Sequence, residues 1–333
     1  MQNEQSYTSH QEAKPLVTFI VTHYNLPVQM LCECIDSILA LSLRPFEREI
    51  IVVDDGSEVS PMNGLMQYGE NIIYIRQKNQ GVSAARNTAL RMATGKYIQI
   101  VDGDDLLLTA PYEHCLDVVR YEKDVDAVLF DFTHSKTGNG TSFNTPVKTS
   151  GTEYMRKNNI KGAVWCCLFR QAVRGKLEFT PSIAYGEDEE FTPQLLLRAE
   201  AVYVTTAKAY YYRKRQSSAV HQTDEQSIQR RLNNTKDVIL HLHNLCDKLP
   251  QNDRLALQRR VAQLSMDYIY NTIVMTRSRQ AMDQCIKELH DNGLFPLPDR
   301  DYSQKYVWFR RMTNSNFGRS VLLNTLPLLK RER

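Results

Sequence analysis

Acidic residues gather at Asp54-Asp55-Gly56-Ser57, at Asp102-Gly103-Asp104-Asp105 and again at Glu187-Asp188-Glu189-Glu190. An Asp-x-Asp pair on a tight glycine turn holds two carboxylates close together. Hard oxygen ligands of that kind suit Mg²⁺ or Mn²⁺, which keeps waters and draws its remaining ligands from substrate phosphates. Asp and Gly are also ordinary turn residues, so one such turn alone says little. Between the first two clusters lies Asn79-Gln80-Gly81-Val82-Ser83-Ala84-Ala85-Arg86-Asn87. A glycine ahead of a helix of small residues lets a ligand approach the backbone, where free N–H groups favour anions. Arg86, one turn in, adds a charge-assisted donor. The plain alternative is a helix packed closely on a sheet through its alanines.

The elements around these clusters alternate. Leu16 to Thr22, Glu49 to Val53, Asn71 to Arg76, Tyr97 to Val101 and Ala127 to Phe132 are short apolar runs that read as strands. Met30 to Leu43 and Val82 to Ala93 carry helical spacing between them. Strands alternating with helices predict an α/β fold with helices on both faces of a largely parallel sheet. The first two acidic clusters then end the second and fourth strands, where open sheets of this kind bind ligands. Thr133 to Gly151 is rich in Ser, Thr, Asn and Gly and reads as a mobile loop. From about Thr223 the pattern becomes helical, over Ser227 to Cys246 and Arg254 to Thr276.

Composition narrows the class. The chain has 333 residues, 42% of them hydrophobic and 24% charged, which excludes a disordered or disulfide-scaffold protein. The net charge of +3 gives no case for nucleic acid binding. Seven cysteines fall into no paired zinc pattern and read as reduced core thiols. The first 14 residues are polar with no apolar stretch of a signal peptide, and no run is long enough to span a membrane. Both observations predict a cytoplasmic protein. Trp308 to Arg333 carries six basic residues and one acidic. Leu322, Leu326 and Leu329 share a helical face there, which fits either an interfacial helix on an anionic membrane or a helix packed on the domain. Pro327 argues against a regular helix across that stretch.

The ordered set Thr22-His23-Tyr24-Asn25, Val52-Val53-Asp54-Asp55-Gly56-Ser57, Asn79-Gln80-Gly81 through Ala85-Arg86-Asn87, and Val101-Asp102-Gly103-Asp104-Asp105 resembles the family two inverting nucleotide-sugar glycosyltransferases. The resemblance runs from Pro15 to about Val220 and fades beyond Tyr212. It implies a GT-A fold, a Rossmann-like mixed sheet flanked by helices. The chain then divides into a tail (1–14), a GT-A domain (15–222) and a helical C-terminal region (223–333).

The resemblance also implies roles. Thr22, Tyr24 and Asn25 would line the nucleotide pocket. Asp54, or alternatively Asp55, would meet the base, with Asn79, Gly81 and Arg86 near base and ribose. Asp102, beside Gly103, would reach the ribose or a metal-bound water, and Asp104 would ligate Mn²⁺ or Mg²⁺. Asp188 is similar in role to the family's catalytic base, with Glu187 and Trp165 on the acceptor side. Arg213 or Arg215 would screen the diphosphate, and His221 would add a metal ligand. The implied reaction moves a sugar, from a UDP-sugar in most of the family, to a glycan or lipid-linked hydroxyl in surface polysaccharide synthesis. Two other readings compete. A Mg²⁺-dependent phosphohydrolase would place its Asp-x-Asp on the first strand rather than the fourth. A non-catalytic nucleotide-sugar-binding module would lack the base or the metal residue.

Overall fold

The computed structural model of the protein describes residues 14–137, 140, 143–215 and 224–329. Among these, nine strands form one mixed sheet: β1 (Val17–His23), β2 (Arg48–Asp54), β3 (Ile73–Arg76), β4 (Tyr97–Asp102), β5 (Leu106–Leu107), β6 (Ala127–Thr133), β7 (Val147–Thr149), β8 (Cys167–Arg170) and β9 (Val202–Tyr211). Their order is β3-β2-β1-β4-β8-β6-β9-β5, with β7 paired to β9. Every residue of β1 is buried, as expected of a central strand covered on both faces. Its side chains alternate between two cores: Phe19 and Val21 on one face, Ile20 on the other.

The helices are α1 (Val28–Leu39), α2 (Met62–Leu65), α3 (Val82–Met92), α4 (Thr109–Tyr121), α5 (Gly151–Lys157), α6 (Gln171–Arg174), α7 (Glu187–Leu196), α8 (Glu225–Cys246), α9 (Gln251–Thr276), α10 (Arg279–Asp291), α11 (Gln304–Thr313) and α12 (Asn316–Leu329). Leu31 and Ile35 of α1 and Tyr112 and Leu116 of α4 pack with Phe19 and Val21. On the opposite face Ala85 and Ala89 of α3 and Phe191 and Leu195 of α7 share one core with Ile239 of α8 and Ile269 of α9. The C-terminal helices are thus continuous with the sheet through apolar contact.

Three details differ from the sequence-based expectation. The stretch expected as a loop from Thr133 to Gly151 contains β7, because β9 offers its edge to Val147–Thr149. Leu106–Leu107 forms a further short strand, also on β9. Helix α12 continues through Pro327 to Leu329, with Leu322 and Leu326 buried against the C-terminal core. Phe309 and Tyr306 of α11 are buried in the same core. That apolar face is occupied by the protein itself, which settles the packed alternative for those side chains. Trp308, Phe317 and Leu328 remain exposed. No helix among the described residues is long and apolar enough to cross a membrane.

Strand β1 pairs in parallel with β2 on one side and β4 on the other, so the chain reverses direction across the sheet there. The register aligns Thr22 with Asp102 and His23 with Asp54. The carboxyl ends of three strands therefore open at one level, at the switch point where such sheets bind ligands.

Candidate active site

The turn after β4 is built by close approach. Gly103 donates its N–H to the Thr22 carbonyl at 3.0 Å. A Cβ on Gly103 would lie 2.6 Å from that oxygen, so a side chain there would push β1 and the turn apart. Asp105 donates its N–H to the Asp102 carbonyl at 2.9 Å, which closes the turn. The three carboxylates then take different surroundings. Asp105 is buried and accepts from Tyr210 Oη at 2.9 Å and from the Arg213 N–H at 2.8 Å. It fastens the end of β9 and the following loop to the turn. Burial, and then repulsion by Asp102 and Asp104, push its carboxyl up to about 8. Asp104 faces Arg215, whose Nε lies 2.5 Å from Oδ2. Burial and Asp102 also raise the Asp104 carboxyl, against the pull of Arg215.

Arg86 joins the third acidic cluster to the second. The Gly81 φ of +89°, which favours glycine, begins α3 and sets Arg86 one turn inside it. Its Nη2 lies 2.9 Å from Asp102 Oδ1. Its Nη1 lies 2.9 Å from Glu187 Oε1 and 2.8 Å from Asp188 Oδ1. The guanidinium also sits 5.3 Å over the Phe179 ring, which stacks on Phe191 of α7. Burial opposes its charge, but Asp188, Asp102 and Glu187 outweigh that and raise the Arg86 pKa. Burial pushes Asp188 up to about 8, opposed by Arg86 and by the Val164 N–H, and assisted by Glu187 and Asp102. Glu187 is raised by burial in the same way. The remaining members of the cluster point to the C-terminal helices: Glu189 pairs with Arg260 of α9, and Glu190 with His241 of α8.

A second group of residues surrounds the ends of β1, β2 and β3. Asp54 is fully buried; its Oδ1 accepts from the Ser57 N–H at 2.9 Å and its Oδ2 from Tyr74 Oη at 3.0 Å. Asp55 accepts from Gln77 Nε2, the Gln80 N–H and the Gly81 N–H at 2.7, 3.0 and 2.8 Å, and so shapes the loop carrying Asn79. Asn25, at φ +49°, donates its N–H to Ser57 Oγ at 2.9 Å and accepts from the Glu58 N–H at 2.8 Å. Tyr24 is half exposed beside it. Trp165 stacks on Tyr212 and lies tilted against Tyr210, with centroids 5.5 and 4.5 Å apart. Arg213 donates from Nε to the Asp104 carbonyl at 2.7 Å and pairs with Glu33 at 2.7 Å. His221 lies outside the described residues.

Arg86, Asp102, Asp104, Glu187, Asp188, Arg213 and Arg215 thus form one connected cluster of charge around the β4 turn, to which Thr22 is joined through its carbonyl and the Gly103 N–H. Sequence reasoning missed Glu33, which lies on α1 with no local pattern, and Tyr210, whose hydroxyl links Asp102 and Asp105. Among the described residues no group of three or more His, Cys, Asp and Glu side chains is placed to hold a cation alone. The donor chemistry nevertheless fits a hard divalent ion. Asp104 offers carboxylate oxygen; burial and then Asp102 raise its pKa, and a cation would relieve that repulsion as Arg215 does in part.

Known proteins resemble this chain in sequence and in fold. The pattern described as "Glycosyl transferase family 2" matches residues 18–175. A Bacillus subtilis protein described as "Uncharacterized glycosyltransferase EpsJ" is 30% identical over 219 residues, 61% of this chain and 62% of the relative. The "Minor teichoic acid biosynthesis protein GgaB" of the same organism is 28% identical over 211 residues, 60% of this chain. The match covers only 23% of GgaB's own length, so the chain spans less than two thirds of either relative. Among solved structures, S. aureus TarS 1–349 in complex with UDP-GlcNAc superposes with a TM-score of 0.68 at 19% identity. That superposition covers 95% of this chain and 91% of the TarS chain. Residues 18–175 are thus similar to glycosyl transferase family 2, and the chain adopts the GT-A fold.

Proposed function

We propose that the protein is an inverting glycosyltransferase that moves a sugar from a UDP-sugar to a hydroxyl of a glycan or lipid-linked acceptor in surface polysaccharide synthesis. The observation that carries this reading is the meeting of Asp188 and Asp102 on Arg86, with Asp104 on the same β4 turn as Asp102. The UDP-GlcNAc held by TarS and the teichoic acid role in GgaB's name support the donor and the product class.

In this mechanism the base and ribose lie against Thr22, Tyr24, Asn25 and the 79–81 loop, whose shape Asp55 sets, while Asp54 holds the turn at Ser57. Asp104 would hold Mn²⁺ or Mg²⁺, which would supply Lewis-acid stabilisation of the diphosphate as its charge develops. Arg215 and Arg213 add positive charge on the same side. The acceptor oxygen attacks the anomeric carbon while the bond to the diphosphate breaks, and the leaving oxygen keeps the electron pair. Asp188 takes the acceptor proton as general base. The diphosphate leaves as an anion, so no second carboxylate has to act as an acid, unlike a typical glycosidase. Arg86 orients Asp188, while Glu187 and Trp165 border the acceptor side.

A panel of nucleotide sugars tested for binding and slow hydrolysis with Mn²⁺ examines this reading. A UDP-sugar is expected to bind and to release UDP. Asp104→Asn should keep the fold and lose most of that activity, and EDTA should do the same to the wild type. Full wild-type activity in EDTA would remove the cation from the mechanism.

The exposed Trp308, Phe317 and Leu328, with Lys305 and Arg311 nearby, support peripheral attachment to an anionic membrane on its cytoplasmic side. Replacing the three apolar residues by Ser spares the buried Phe309, Leu322 and Leu326. It should leave the melting temperature in place and reduce sedimentation with anionic vesicles. High salt should release the wild type. Equal vesicle binding by the triple variant would assign these residues to the plain surface.

A further inference from the structure

The helical turn that carries Asp188 has no cap of its own. Helix α7 begins at Gly186, φ +83°, with no side-chain capping bond. Its four acids hold it instead, and they face two ways. Glu187 and Asp188 reach Arg86 of α3, whereas Glu189 pairs with Arg260 of α9 and Glu190 with His241 of α8. The candidate base therefore sits in a turn held from both the sheet domain and the C-terminal helices.

Arg260 reaches Asp188 by two routes. Through Glu189 it holds the residue that follows Asp188. Through Nη1 it donates to the Ile160 carbonyl at 3.0 Å. Ile160 lies four residues before Val164, whose N–H donates to Asp188. The routes meet again at Gly162. A Cβ there would run into the Glu189 carboxylate, so a glycine lets the 159–165 segment lie this close to α7. The same stretch of α9 grips the segment once more: Arg259 Nη2 donates to Asn159 Oδ1 at 2.9 Å, and Gln263 donates to the same oxygen. Arg260 is buried, and Asp267 on its own helix adds a second negative charge beside it. Burying a guanidinium is costly and seldom adds stability over an apolar side chain, whereas its planar fork fixes two groups at once.

We infer that Arg260 is a positioning residue for the transfer reaction: it fixes the first turn of α7 and the 159–165 segment against each other, and so aims the Asp188 carboxylate from the C-terminal region. The inference rests on the reading of Asp188 as the base. A reacting group misplaced by about 1 Å can lose ~10²-fold in rate, so this hold acts on turnover without touching the donor.

Glu189→Ala cuts one route and leaves Arg260 with Asp267 and the Ile160 carbonyl, so the fold is kept. Arg260→Lys keeps the charge but loses the fork that serves two partners. Amide hydrogen exchange of the full chain, read by mass spectrometry, follows the Val164 N–H in peptides over 159–167. In both variants exchange there should quicken about tenfold, the equivalent of one lost bond, while peptides of β1 and β4 keep the wild-type rate. Glu189→Gln, which keeps an oxygen for Arg260, should restore slow exchange. Turnover is read as UDP release with Mn²⁺, from whichever of UDP-glucose, UDP-galactose and UDP-GlcNAc the wild type uses fastest. In Glu189→Ala and Arg260→Lys kcat should fall about tenfold with donor KM unchanged. The double variant should lose less than the product of the two losses, since both cut one link. Unchanged exchange over 159–167, an acceleration shared equally by β1 and β4, or faster exchange with full kcat overturns the proposal. Asp188→Asn separates this failure from that of the base. If Asp188→Asn also turns over at the full rate, Asp188 is not the base; if it alone is slow, Arg260 merely packs α9 on α7. A wild type that uses none of the three donors fails the donor reading and leaves the exchange result to decide.

Discussion

Asp188→Asn is expected to bind the nucleotide sugar normally and to transfer it about 10²–10⁴-fold more slowly, the contribution of one positioned general base. The change is nearly isosteric and keeps an oxygen for Arg86 Nη1 and the Val164 N–H, so the loss falls on proton acceptance. Steady-state kcat with calorimetric donor affinity checks this. The neighbours separate the reading from a merely acidic helix start. Glu189 and Glu190 pair with Arg260 and His241, away from Arg86, so Glu190→Gln should cost turnover much less than Asp188→Asn. Equal small losses across the cluster would return it to an ordinary N-terminal turn. The same carboxyl also sets a pH signature. Burial raises Asp188 above the ~3.9 of a free Asp. A protonated carboxyl cannot accept a proton, so kcat/KM should rise with pH through a midpoint well above that value. The limb should disappear in Asp188→Asn.

Arg86→Met is expected to be the most destabilising single change in the cleft. Arg86 is 2% exposed and serves Asp102, Glu187 and Asp188 at once. Removing one partner of a buried ion pair leaves uncompensated charge and costs about 3–5 kcal/mol. A urea unfolding midpoint reads this directly. The sign of the pH dependence identifies the cause. Without Arg86 the three carboxyls should titrate higher in the folded than in the unfolded protein. Their neutral forms then favour folding at acid pH, and stability falls as pH rises through the folded pKa. The variant should therefore recover part of its loss on mild acidification. A variant as stable as the wild type would show that the three acids do not depend on Arg86.

The strand ends were legible because two signals coincide at each. An apolar run of β-branched residues stops at an Asp-Gly turn, as at Ile100-Val101-Asp102-Gly103, and local chemistry alone decides both. The individual fates of Asp102, Asp104 and Asp105 were not legible. They depend on residues roughly 15 to 110 positions away, Arg86, Arg215, Tyr210 and Arg213, which only the closed sheet brings near. Asp105 reads as part of an acidic motif, yet its oxygens are taken by Tyr210 and the Arg213 N–H. Four successive acids at 187–190 are by local pattern alone an ordinary N-terminal turn of a helix, which carries no sign that Asp188 and Glu190 are buried with partners on α3 and α8. The tail reads as one amphipathic unit. Its helical face is taken by the core of α9, which no pattern within the tail encodes.

The central step of the proposed reaction is direct displacement at the anomeric carbon, with one carboxylate base and no covalent sugar–enzyme intermediate. The most direct test is the anomeric configuration of the first product formed from an α-linked UDP-sugar, read by proton NMR. A β-linked product is expected, its formation slowed by Asp188→Asn and absent in EDTA. An α-linked product, or a sugar–protein adduct trapped in the Asp188→Asn variant, would contradict direct displacement.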